Sequence, residues 1–129
     1  RVTLLNPLKS KQMANGLAEL SEEGATQLYE PLKSPIPVIG VVGELQFDVL
    51  KYRLSAEYGA DVALDKIPAY GIRWVSGPEK DLATFSSEYA MDCMLDKERR
   101  LVCLFPNEYR LNLALKNYET LKFDQTSQV

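Results

Sequence analysis

Glycines, carboxylates, thiols and guanidiniums are the groups in this chain that could do chemistry, and their spacing limits what that chemistry can be. Gly40-Val41-Val42-Gly43 has the outline of a loop that cradles phosphate. A phosphate loop reads G-x-x-x-x-G-K-[ST], with a lysine for the terminal phosphates and a hydroxyl for magnesium. Neither group stands at the required place, so the glycines are read as letting a strand turn tightly into a helix. The carboxylates Glu22-Glu23, Asp65 and Asp96 with Glu98 fall in turns and at helix ends. No pair of them is placed in an apolar cleft, where one could be kept protonated for acid–base work. Ser86 and Ser87 sit on a helix without a base. The sequence has no histidine, which removes the commonest general base and metal ligand together with the Ser-His and Cys-His nucleophile pairs. Cys93 and Cys103 could face each other across a hairpin, but Met94, Leu95, Leu101 and Leu104 around them indicate ordinary buried thiols. The sequence therefore assigns no catalytic, cofactor-binding or metal-binding residue.

The basic residues are more informative. Lys9 and Lys11 lie near the start of the first helix, where the macrodipole favours acids instead. Lys51 and Arg53 lie on the polar side of the second helix. Arg99 and Arg100 fall together in a hairpin turn, where two guanidiniums at an exposed tip could grip phosphates in bidentate fashion. These six residues are the candidate contacts to RNA, against the alternative that they are solvated cations. The net charge of −3 argues against a simple nucleic-acid glue, whose domain is usually strongly basic, but leaves room for local patches.

The elements that must position these residues follow from composition and pattern. At 129 residues the chain can form one ordinary domain or two very small ones sharing a core. Its hydrophobic fraction of 46% and charged fraction of 26% belong to a soluble globular protein. The longest apolar run, Val38 to Val42, is strand-sized and far short of the roughly 20 residues that cross a bilayer. No signal peptide is read at the start, but Arg1 is not a natural initiator, so the chain is expected to be an excised piece whose true N-terminus is unseen.

Val2 to Leu5 reads as a strand, and Asn6-Pro7 as an N-cap with proline at the first helical position. Met13, Leu17 and Leu20 continue that helix to Gly24. Thr26 to Leu32 alternates as a strand, and Pro31 within it points to a sheet edge. After the stiff Ser34-Pro35-Ile36-Pro37, Val38 to Val42 reads as a central strand. Gly43-Glu44 opens a helix in which Leu45, Val49 and Tyr52 join Phe47, Leu50, Leu54 and Tyr58 on one wide apolar face, closed by Gly59. Val62 and Leu64 then face inward from a strand.

The same order recurs after Pro68-Ala69, the predicted hinge. Tyr70, Ile72 and Trp74 alternate, and Ser76-Gly77-Pro78-Glu79 suggests a capping box. Leu82, Phe85 and Tyr89 space a helix, and strands near Cys93–Leu95 and Arg100–Phe105 flank the turn at Asp96-Lys97-Glu98. Pro106-Asn107 starts a helix bearing Leu111, Ala114, Leu115 and Tyr118, and Leu121 to Gln125 closes the chain. The fold class is therefore α+β: two tandem ferredoxin-like βαββαβ units, residues 1–69 and 70–129, packed together, with antiparallel sheets and helices on one face. Each half, at roughly 60 residues, would be marginal alone.

The stretch VIGVVGELQFDVLKYRLSAEYGADVALDKIPAYGIRWV, from Val38 to Val75, resembles the third domain of elongation factor G and its relatives. Among those relatives Gln46-Phe47-Asp48-Val49 is most similar to the peptide chain release factor 3 family. Asn6-Pro7-Leu8-Lys9-Ser10-Lys11-Gln12, Leu20-Ser21-Glu22-Glu23-Gly24-Ala25, Arg73-Trp74-Val75 and Phe123-Asp124-Gln125-Thr126 share that likeness. It touches most of the chain; between 78 and 105 the fold is read from pattern.

The resemblance implies part of a GTP-dependent factor that promotes departure of class I release factors from the ribosome. GTP and magnesium would be held by an N-terminal domain absent from these residues, so this fragment would carry no cofactor and hydrolyse nothing. Its implied role is to dock on small-subunit RNA and protein and to reorient against the GTPase and second domains of the parent chain. Class I release factors would be indirect partners, the compartment the cytoplasm, and neither membrane nor DNA would be bound. Lys9, Lys11, Lys51, Arg53, Arg99 and Arg100 are the candidate ribosome contacts. Two rivals stand beside this reading: a ferredoxin-like ligand-sensing module, and an enzyme of unknown type, which the missing histidine disfavours. Another translational GTPase with the same third domain is the nearest sibling.

Overall fold

The computed structural model describes residues 2–41, 43–67 and 69–126, with residues 2–4 described by their backbone alone. By internal contacts the chain divides into two units, Arg1–Tyr29 with Ile36–Ile67, and Glu30–Pro35 with Pro68–Val129.

In the first unit β1 (Val2–Leu4) leads to Asn6, whose Oδ1 accepts the Leu8 N–H at 3.1 Å. The chain then makes one 3-10 turn, Pro7–Lys9, before α1 (Ser10–Glu22), so the first helix begins in two stages. Gly24, at φ 83°, turns the chain out of α1, and the Ala25 N–H donates back to Leu20 O at 3.0 Å. A left-handed residue that lets orphan helix carbonyls find donors is what glycine supplies best. β2 (Gln27–Pro31) pairs antiparallel with β3 (Val38–Gly40), Leu28 opposite Ile39. α2 (Leu45–Tyr58) ends at Gly59, and β4 (Val62–Leu64) pairs antiparallel with β1. The core is aliphatic: Leu17, Leu20, Ile39, Leu50, Leu54 and Val62. A Cβ on Gly16 would lie 2.8 Å from Leu54 Cδ2 and 2.9 Å from the Tyr58 ring, so this glycine is what lets α1 and α2 approach.

The second unit runs β5 (Gly71–Ser76), α3 (Glu79–Glu88), β6 (Cys93–Leu95), β7 (Leu101–Phe105), α4 (Glu108–Asn117) and β8 (Lys122–Asp124). Its strands pair antiparallel in the order β6-β7-β5-β8. That is the arrangement of a split βαββαβ unit, with the outer strands brought back by two helices. Val75, Cys93, Cys103 and Phe105 on one sheet face meet Phe85 from α3 and Leu111 and Ala114 from α4, so both helices cover the same face. The Phe85 ring stacks on Tyr89 at 4.6 Å and meets Tyr118 and Phe123 edge-on at 5.1 and 5.5 Å. Such pairs add about 0.5–1.5 kcal/mol each beyond area burial. Gly77, at φ 149°, cannot be replaced cheaply, because a Cβ there would sit 2.8 Å from Leu121 Cδ2 and 3.1 Å from Thr120 O.

The element order is the predicted βαββαβ, twice over. Several details depart from expectation. β3 stops at Gly40 and, among the described residues, pairs with β2 alone, so it is not a central strand, although Val38 and Ile39 are both buried. β2 is not an edge: Gln27–Tyr29 pair with β3, and Glu30 and Pro31 pair with β6. Pro31 is tolerated because it closes the strand, and Leu32 N–H carries the ladder on to Cys93 O at 3.0 Å. No capping box forms, since Pro78 is the N-cap of α3 and no side chain bonds there. Among the described residues no ladder joins β1 to β3, so the first unit holds two separate strand pairs. Val42 and Pro68 of the predicted strand and hinge lie outside the described residues.

In β5 Val75 enters the core. One helix face departs from expectation. In α2, Phe47, Leu50, Leu54 and Tyr58 belong to the core, whereas Leu45, Val49 and Tyr52 form an opposite, exposed stripe. Leu115 of α4 is likewise exposed.

Candidate nucleic-acid interface

The hairpin between β6 and β7 is the most organised basic feature. Its turn closes with Arg99 N–H donating to Asp96 O at 2.9 Å and Asp96 N–H donating to Arg100 O at 3.1 Å. Arg99 takes φ 64°, the left-handed conformation usually given to Gly or Asn in such a loop. Asp96 is buried and accepts four hydrogen bonds, from the Glu98 and Arg100 N–H groups, Trp74 Nε1 and Arg100 Nε, all at 2.9–3.0 Å. Burial alone would raise its pKa. The Arg100 N–H, the Trp74 indole and the Arg100 charge outweigh that and hold the carboxyl below its usual range.

The two arginines of this turn therefore have different surroundings. Arg100 lies half-buried against Asp96 and also donates to Glu98 at 3.1 Å. Arg99 is 68% exposed and donates through one Nη to Glu30 at 2.9 Å, itself 66% exposed. Lys97 beside it is exposed.

In the first unit Lys9 is half-buried at the end of the 3-10 turn and Lys11 exposed in the first turn of α1. That helix starts with neither a side-chain cap nor an acidic residue. Lys51 is exposed on α2. Arg53 is held at both ends: its Nη atoms donate to Glu23 at 3.0 Å, and its Nε donates to Glu57 at 2.6 Å. Those carboxylates keep the guanidinium firmly charged, and the Arg53 hydrogen bond lowers the pKa of Glu57. Glu23 sits at the C-terminal end of α1 and Lys9 and Lys11 at its start, and 13 helical residues span about 20 Å. The structure thus separates these cations into two groups.

Cys93 and Cys103 lie directly opposite each other, both free and buried. A hydrogen bond between the thiols, and then burial, hold Cys103 protonated, so it is no nucleophile. Among the described residues no cluster of His, Cys, Asp and Glu could hold a metal ion, and no helix is long and apolar enough to cross a membrane.

The sequence reading missed Asp96 as an anchor. Two signals were present: Asp is favoured at the first position of a turn because its side chain bonds the backbone two residues on. A half-buried Trp also needs an acceptor for its N–H. The pairing of Arg99 with Glu30, far apart in the chain, had no local signal.

Fold and surface together define a tandem α+β module whose most ordered polar feature presents a guanidinium. Residues 1–115 match the family model for the C-terminal domain of class II release factor RF3, and the chain belongs to that family. It is a release factor 3 region of translation termination, as the resemblance implies.

Proposed function

We propose that this region docks its parent factor on the ribosome and serves as the lever through which nucleotide state drives class I release factors off after termination. The family match over residues 1–115 carries this reading. The GTPase and second domains of the parent would be its intramolecular partners, small-subunit RNA and protein its external ones, and the cytoplasm its compartment. GTP and magnesium would bind elsewhere in the parent; among the described residues no cluster of His, Cys, Asp and Glu could hold a metal ion. A unit with a continuous sheet and both helices on one face can turn as a rigid body, as domain-rotation switches require. An acidic body with a few placed cations suits shape-specific docking, in which phosphate contacts set register and protein contacts add specificity.

The test is release-factor recycling. The full parent factor and a version lacking residues 1–129 are compared for the rate at which a class I release factor leaves post-termination ribosomes. Loss of stimulation with GTP affinity retained is the expected result. Undiminished recycling would overturn the proposal.

A further inference from the structure

We infer that Arg99 alone, of the two arginines in the β6–β7 turn, is the residue that grips an RNA phosphate, with Glu30 occupying its guanidinium until the phosphate arrives. The inference rests on the ribosome-docking reading and sharpens it to one side chain and one exchange.

Arg100 is committed to the fold. Its Nε and backbone N–H both bond the buried Asp96, and its Nη reaches Glu98. Drawing it outward would strip the buried Asp96 carboxylate of the Arg100 charge beside it, which is costly. Arg99 faces the opposite situation. It is exposed, its carboxylate partner Glu30 is equally exposed, and such a pair is weak and screened. Yet this side chain sits at a φ of 64°, where glycine would relieve the backbone. An exposed residue kept at a disfavoured conformation closes the turn no better than glycine would, and its side chain adds only the screened pair with Glu30. Below it the four bonds to Asp96 fix the turn, so the guanidinium is presented from a rigid base.

The chemistry of the partner follows from Glu30. An acidic protein surface would replace one carboxylate by another and gain little. A phosphodiester within an RNA strand brings neighbouring phosphates and their condensed counterions, whose release favours the exchange. Arg99 offers the planar fork that suits phosphate oxygens, and exposed Lys97 supplies a second cation at the same tip.

The test uses the full-length factor with a non-hydrolysable GTP analogue and ribosomes, with binding measured across a salt series. Arg99→Gly should leave the melting temperature unchanged or higher, weaken binding roughly three- to tenfold at low salt, and reduce the log–log salt slope by about one. Arg99→Lys should recover part of the affinity, and Glu30→Gln should tighten binding by removing the competitor. Arg100→Met should instead lower the melting temperature. Unchanged affinity for R99G would overturn the inference. Weaker binding with an unaltered salt slope would overturn phosphate as the partner and point to protein. If deletion of residues 1–129 also leaves binding intact, the docking reading itself fails; if deletion abolishes binding while R99G does not matter, only the role of Arg99 fails.

Discussion

The two units share one order of elements and are held together by different means. The second has a four-strand antiparallel ladder and an aromatic core in which Phe85 touches Tyr89, Phe105, Tyr118 and Phe123. The first has an aliphatic core, two separate strand pairs, and two helices drawn together over Gly16. Identical order therefore does not fix where cohesion lies: it rests on sheet and rings in one unit and on helix–helix contact in the other. The hairpin that carries Arg99 belongs to the unit with the continuous ladder, which is where a rigid contact is best mounted.

The largest effect should come from the centre of the aromatic cluster. Phe85→Ala is expected to cost about 3–5 kcal/mol in denaturant unfolding, since it removes a fully buried ring and leaves a cavity. Leu54→Ala in the first unit should cost about 2–4 kcal/mol. An equal or larger loss at Leu54 would break the contrast between the units. Gly16→Ala should cost about 1–3 kcal/mol by overpacking Leu54 and Tyr58, an effect specific to the unit that depends on helix approach.

Asp96→Asn should cost about 2 kcal/mol at neutral pH, because an amide NH2 would face the Trp74 and Arg100 donors that the carboxylate now accepts. The folded-state pKa of Asp96 lies below its ordinary value of 3.8. Its stabilisation is therefore present above that value and is lost as pH falls through the lowered one. Unfolding of wild type and D96N should thus converge in acid; a gap independent of pH would show that the charge is not what matters. Tyr118, pushed up to about 12 by burial and its bond to Glu88, has the opposite sign. Its contribution is full below about pH 10 and is lost as pH rises towards 12. Tyr118→Phe should accordingly flatten part of the alkaline fall in melting temperature. The smallest effect belongs to Val49→Ser, on the exposed stripe of α2, at under about 0.5 kcal/mol.

Much of this architecture was legible in the sequence. Asn6 and Asn107 both accept the backbone N–H that a capping residue should, and Gly24 and Gly59 both take positive φ after a helix. Faces were harder to read. α2 is apolar on two opposite sides, so the pattern could not say that Leu50 and Leu54 are inside while Leu45 and Tyr52 are not. β5 alternates correctly, but Ile72 and Trp74 look as core-like as Val75 until the helices choose a side. The candidate interface was legible only as a list of cations. Which of them is already held depends on Glu23, Glu30 and Asp96, and whether a carboxylate folds back on a cation is decided by tertiary geometry.

The most direct test of the docking role is co-sedimentation of the full-length parent factor with ribosomes, beside a version lacking residues 1–129, in the presence of a non-hydrolysable GTP analogue. Loss of ribosome binding with nucleotide affinity intact is the predicted result. Equal sedimentation of both proteins would contradict it.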